Sequence, residues 1–257
     1  MIRKLKTVGL ALIAIFAFSA IAASAAFAQQ GELTSDGPVT LTVTETGGAG
    51  ANKLVAFGNT TECPGSTYTG HKVLTAHETS TGIKHGFLSP GATTATITPH
   101  YKQKTAEGKF NCKAAGLPMT ITTNGCDLVY HIGSQVGGDS TTFKLTTDVV
   151  CPVGKKIEYE AYTGEGEGVL ACRFTLGSVD GAGNPVNQGL SGPHLKHTNT
   201  GGADDIDISG VITGLHMERH AGLCGGASTT NVAELFVDLT VTGHSQVLGS
   251  TPVTVSP

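Results

Sequence analysis

Apolar and polar residues alternate with a period of two through much of this chain. After Pro38, Val39, Leu41 and Val43 fall on one side and threonines on the other. Cys126, Leu128, Tyr130 and Ile132 share a face, as do Ile157, Tyr159 and Ala161, then Leu170, Cys172, Phe174 and Leu176, then Leu235, Val237, Leu239 and Val241. Successive side chains on a strand point to opposite faces, so this pattern predicts half-buried antiparallel strands with threonine toward solvent. Turn-forming clusters separate the runs: Gly47 to Gly50, Ser89 to Gly91, Thr123 to Gly125, Gly137 to Asp139 and Asp180 to Pro185. They supply the positive φ values and chain reversals that hairpins need. After the leader described below, no stretch carries a helical period. The segment from Lys102 to Ala115 contains Gly108 and lacks an apolar stripe.

The expected fold is therefore all-β: a disulfide-braced antiparallel β-sandwich, as one compact unit or two tightly packed β-subdomains, after an N-terminal signal helix. Composition agrees. The 257 residues include 36 glycines, 10 prolines and no tryptophan, and only 14% are charged. A coiled coil or helical bundle needs far more Ala, Glu, Lys, Leu and Arg, and the glycines lack the three-residue period of collagen.

Residues 1–28 read as a secretory signal peptide. Arg3, Lys4 and Lys6 form the basic start, Val8 to Ala23 the apolar stretch, and Ala26-Phe27-Ala28 a small-x-small cleavage site. The competing reading is an uncleaved anchor, since the apolar stretch approaches the ~20 residues that span a bilayer. The alanine-rich end and cleavage triplet favour a peptidase, and residues 29–257 form the expected secreted region. Its C-terminus, Thr251 to Pro257, has no apolar tail or basic cluster, so no membrane attachment is expected after cleavage.

Removing the leader takes three of the 16 Lys and Arg, leaving 13 against 20 Asp and Glu, a formal charge of −7. Nucleic acid is not an expected partner, because phosphate contacts need clustered cations. The leader also holds three of the nine phenylalanines, which leaves an apolar core thin for this length.

All six cysteines, Cys63, Cys112, Cys126, Cys151, Cys172 and Cys224, follow the leader. An even number in an exported chain reads as three disulfides. A thiolate metal site usually uses C-x-x-C spacing, which is missing here. Six cysteines permit 15 pairings; the preferred one joins neighbours, Cys63 with Cys112, Cys126 with Cys151, and Cys172 with Cys224. Each loop would contribute roughly 3–4 kcal/mol by restricting the unfolded chain. Gly133 to Ser140 is a weak internal boundary, with three cysteines on either side. Full oxidation then requires at least one bridge across it.

The densest acidic cluster is Asp204, Asp205 and Asp207. Carboxylates at alternate positions suit calcium, yet Ile206 and Ile208 explain Asp205 and Asp207 equally well as the solvent face of one strand. The spacing matches neither the EF-hand loop nor the calcium β-roll nonapeptide. His216-Met-Glu-Arg-His220 superficially resembles a zincin helix, but that motif needs glutamate directly after the first histidine, and this segment reads as strand. A nucleophile elbow is missing. Glu158 and Glu160 project together and could serve as a glycosidase pair, or stand as solvated acids on one strand. Glu165 and Glu167 read as a hairpin tip. For sugar binding, Tyr101, Tyr159 and Tyr162 are the available aromatic platforms, with Tyr162 opposite in face to Tyr159.

The segments Cys112 to Cys126, Asp148 to Pro152, Gly189 to Gly192 and Gly210 to His216 resemble a group of uncharacterised secreted bacterial, actinobacterial, Cys-containing all-β proteins. That resemblance implies the cysteine framework and no activity, so no functional residue is carried over. The expectation is a secreted, non-enzymatic extracellular protein with a binding or structural role toward a cell-surface glycan or protein, without a cofactor. The alternative is a calcium- or zinc-dependent binder or hydrolase using Asp204, Asp205, Asp207, His216 and His220.

Overall fold

The computed structural model describes residues 32–34, 39–45, 52–63, 94–97, 99, 112–164, 168–200, 203–245 and 254–256. The signal segment, Tyr101, Glu165, Glu167 and the turns at 47–50 and 89–91 lie outside them. Among the described residues there are strands and turns and no helix. The strands are β1 (Glu32–Thr34), β2 (Val39–Glu45), β3 (Lys53–Ala56), β4 (Asn59–Glu62), β5 (Thr94–Ile97), β6 (Cys112–Ala114), β7 (Leu117–Thr122) and β8 (Asp127–Val136). They continue as β9 (Asp139–Val150), β10 (Ile157–Tyr162), β11 (Leu170–Leu176), β12 (Leu190–Thr200), β13 (Ala203–Arg219), β14 (Ser228–Ser245) and β15 (Thr254–Ser256).

The all-β, disulfide-braced antiparallel character matches the expectation; the sandwich does not. Strands β14, β3, β4, β6, β7, β10, β11 and β13 pair in that order, and β13 pairs again with β14, closing an eight-stranded antiparallel barrel. The alternating pattern serves a sandwich and a barrel equally, because each buries one face of every strand. What closes the ring is the length of β13 and β14, 17 and 18 residues. They pair with each other from Asp205↔Thr242 to Arg219↔Ser228. Beyond the barrel, the first half of β13 pairs with β12 and the second half of β14 with β2. The sheet thus continues as a strip in the order β2, β14, β13, β12, β9, β8, β5, while β1 and β15 pair separately.

One face of the β13/β14 ribbon supplies both regions. Ile208↔Leu239 and Gly210↔Val237 face the strip interior, and Ile212↔Leu235 and Leu215↔Ala233 continue on the same side into the barrel. The buried residues accordingly form one cluster, with Met119, Ile121, Tyr159, Phe174 and Met217 in the barrel and Tyr130, Phe143, Leu145 and Leu195 in the strip.

The junction depends on two glycines. Gly192 (φ +145°) on β12 lies so close to β13 that an added Cβ would sit 1.6 Å from the Val211 carbonyl oxygen. Gly210 (φ +138°) lies reciprocally against Pro193. Past this crossing β13 exchanges β12 for β11, pairing Phe174 to Leu176 with Arg219 to Met217. Asn187 fills the gap between the two partners. Its side chain accepts from the His216 N–H (2.6 Å) and donates to the His216 and Gly177 carbonyls (3.0 and 2.7 Å), as a neighbouring strand would.

Three disulfides join Cys63 to Cys112, Cys126 to Cys151 and Cys172 to Cys224. The first spans neighbouring strands of the barrel wall, and the third ties β11 to the loop after β13. The second crosses the Gly133 to Ser140 segment, which is the end of the β8/β9 hairpin turning at Gly137 and Gly138. One expected face is broken. Tyr162 pairs with Leu170 while Ala161 pairs with Cys172, so Ala171 is an extra, bulged residue. Ala171 and Cys172 are both buried and Leu170, expected inside, turns outward at 41% exposure.

Candidate functional site

Four barrel strands place a polar array on the outer wall. Along β10, Ile157, Tyr159 and Ala161 point inward, so Glu158, Glu160 and Tyr162 point out. On β7, Met119 and Ile121 point in, leaving Thr120 and Thr122 outside. On β13, Leu215 and Met217 point in, leaving His216 and Glu218 outside. Register then sets the rows. Thr122, Glu158, Thr175 and Glu218 align across four strands, and Thr120, Glu160 and Arg173 form the next row.

Two hydrogen-bonded groups knit the array together. In the first, the Lys156 ammonium reaches the Glu218 carboxylate at 2.7 Å, and Thr175 Oγ1 lies 3.3 Å from both Glu218 Oε2 and His220 Nε2. Gly177 makes room for this, because any Cβ there would meet the Lys156 stem at 2.9 Å. Burial alone would raise the Glu218 pKa, but Lys156 and the Thr175 hydroxyl more than offset it and hold the carboxyl below its usual value. Thr175 is itself buried beneath these longer neighbours.

The second group is centred on Glu160. Arg173 Nε and Nη2 bind its Oε1 at 2.9 and 2.7 Å, and the Tyr162 hydroxyl donates to Oε2 at 2.9 Å. The hydrogen bond to Glu160, with its charge, raises the Arg173 pKa. Partial burial, joined by the Glu160 carboxylate, raises that of Tyr162. Both Glu160 oxygens are engaged, so the carboxylate is fixed in orientation beside Glu158 on the same outward face.

Among the described residues, Met119, Ile121, Tyr159, Phe174, Met217 and Leu235 pack together inside the barrel. Beside Leu54, Thr61 and Tyr159 there is room for about one or two water molecules. Phe57, at φ +52° in the β3/β4 turn, stacks on Phe174 at 5.6 Å and lies under the Arg219 guanidinium.

The residues singled out for metal binding are not assembled into one site. Asp207 and His216 lie nine positions apart on β13, ~30 Å of extended chain before its bulges shorten it. Asp207 stands between the buried Ile206 and Ile208 and accepts from Thr240 Oγ1 at 2.7 Å. Asp204 and Asp205 pair with Asn199 and Thr198 through the same strand; their side chains lie outside the described residues. His216 and His220 are four positions apart, and the first is a strand residue, not part of a helix turn that would bring them together. His216 Nδ1 bonds Asn231 Oδ1, and His220 turns to Thr175. Among the described residues no group of three or more His, Cys, Asp or Glu side chains could hold a metal ion. Sequence reasoning passed over Lys156, Arg173, Thr175 and Glu218. Each is ordinary in its own segment, Lys156 just before β10 and the others on β11 and β13, and only the register of β10, β11 and β13 brings them side by side.

No protein-family model, curated protein or solved structure matches this chain.

Proposed function

We propose that this is an exported, non-enzymatic binding protein of the cell exterior, and that the outer wall of β7, β10, β11 and β13 is its recognition surface. The carrying observation is the Glu160 group: a carboxylate, a guanidinium and a phenol locked together on an outward face, where their orientation is set before any ligand arrives. Preorganised polar groups cost less entropy to bind than mobile ones. Three disulfides are compatible with an oxidising environment. The wall carries charged side chains where a bilayer-spanning barrel would carry its apolar band.

Expression with the leader intact, followed by N-terminal sequencing of the medium fraction, should find a chain starting at Gln29. Fluorescently labelled mature protein should be retained by intact cells of the source organism or by their wall fraction. The double substitution Tyr162→Ala with Arg173→Ala should reduce that retention severalfold while leaving the circular dichroism spectrum intact. Retention that is equal for native and substituted protein, or missing from both, would remove this wall as the recognition surface.

A further inference from the structure

We infer that the ligand of this wall is a neutral glycan, laid with its apolar ring face on Tyr162 and Leu170 and its hydroxyls on Glu160 and Arg173. The inference rests on the outer wall being the recognition surface.

An apolar end adjoins the Glu160 group. Tyr162 is the cross-strand partner of Leu170, and the bulge at Ala171 turns Leu170 out beside it. Without that extra residue Leu170 would join the core. Val169 and Leu223 are exposed as well, at 71% and 73%. The Leu223 N–H donates to the Ala171 carbonyl at 2.8 Å, the Thr163 N–H donates to that of Val169 at 3.0 Å, and Cys224 is bonded to Cys172. Large apolar side chains held in water by backbone hydrogen bonds and a disulfide point to a surface that is covered in use.

Charge selects among the possible covers. The two cations of the wall, Lys156 and Arg173, are each committed to a carboxylate, Glu218 and Glu160. An anionic polymer or lipid headgroup would meet cations whose charge those carboxylates already neutralise, and would approach Glu158 as well. A neutral saccharide has no such cost. Its C–H face packs on apolar and aromatic carbons, while vicinal hydroxyls can share the remaining lone pairs of Glu160 and the remaining N–H groups of Arg173. The planar groups stay paired with each other and bind in addition.

The test is affinity electrophoresis of the disulfide-intact mature protein in native gels. The gels would contain laminarin, yeast mannan, soluble starch or hydroxyethyl cellulose, with polygalacturonate and polylysine as charged controls. At least one neutral polymer should retard the protein. Arg173→Gln and Tyr162→Ala should each weaken the retardation roughly tenfold, about 1.4 kcal/mol, without lowering the melting temperature by more than a few degrees. Lys196→Ala, exposed on the strip, should leave it unchanged. Retardation by charged polymers alone, or neutral binding indifferent to Tyr162 and Arg173, overturns the glycan assignment. If no neutral polymer binds while cell-surface retention still depends on Tyr162 and Arg173, the ligand class is wrong and the recognition wall stands. If surface retention is also missing, both fall.

Discussion

Gly192 offers the sharpest test of how the barrel and strip are joined. In Gly192→Ala the new methyl carbon would lie 1.6 Å from the Val211 carbonyl oxygen and 2.7 Å from its carbon, whereas real Cβ contacts stay beyond 3.0 Å. The obstacle is backbone, which cannot rotate away as a side chain can. Relief requires β12 and β13 to part by more than an ångström at the crossing where β13 changes partners. The backbone angle adds a second cost, since φ +145° is one that L side chains rarely adopt. Taking ~1–3 kcal/mol for the strained backbone and a similar amount for overpacking gives about 2–6 kcal/mol. That is a large share of the ~5–15 kcal/mol stability of a typical domain. At roughly 2–4 °C per kcal/mol for a protein of this size, the midpoint should fall by about 4–24 °C. The control is Gly138→Ala, which has φ +82° and nothing within 4 Å of the new carbon, and which should show the backbone strain alone. The chain has no tryptophan, so far-UV circular dichroism during urea and thermal unfolding is the suitable probe. If Gly192→Ala is no less stable than Gly138→Ala, β12 and β13 do not cross at contact distance there.

Three other outcomes follow from the same geometry. Asn187→Ala removes three hydrogen bonds to the Gly177 and His216 backbone; it should cost about 3 kcal/mol or more in urea unfolding, because buried peptide groups lose their partners. The Thr141 hydroxyl and N–H, then the Thr142 hydroxyl, lower the Asp139 pKa from 3.8 to about 2. A carboxylate with a depressed folded pKa stabilises above its unfolded pKa and loses that effect as pH falls through the folded value. The stability gap between native protein and Asp139→Asn should therefore be full above about pH 4 and close toward pH 2, as melts across that window would read. Replacing Cys63 and Cys112 together by alanine opens a 49-residue loop and should cost about 4 kcal/mol on the chain-entropy model, measured against the oxidised native protein.

Much of the local structure was legible from alternation alone. Asp127 to Ile132 and Ile157 to Ala161 lie in strands, with Cys126, Leu128, Tyr130, Ile132, Ile157, Tyr159 and Ala161 buried as expected, and the chain turns at Asn124-Gly125 and Gly137-Gly138. Two hairpins were missed, at Phe57-Gly58 and Ala115-Gly116, where the first turn residue takes a positive φ without being Asn, Asp or Gly. There the local preference is overridden: Phe57 is held by its stack on Phe174 and by Arg219. Leu170 is in phase with Cys172, Phe174 and Leu176 along the sequence, and nothing in that period marks the bulge at Ala171 that turns it outward.

The sequence by itself determined strand character, the side of each strand that would be buried, and the even set of cysteines. Those properties depend on residues adjacent in the chain, where Cβ directions are dictated by the backbone. Closure into a barrel instead of a sandwich was decided only by tertiary structure. It rests on which long strands find each other, β13 and β14, and on two glycines 18 positions apart that let backbones cross at contact distance. The candidate site belongs to the same level. Glu160 and Arg173, or Thr175 and Glu218, become neighbours through register, and a shift of one residue would have turned every one of them to the other face.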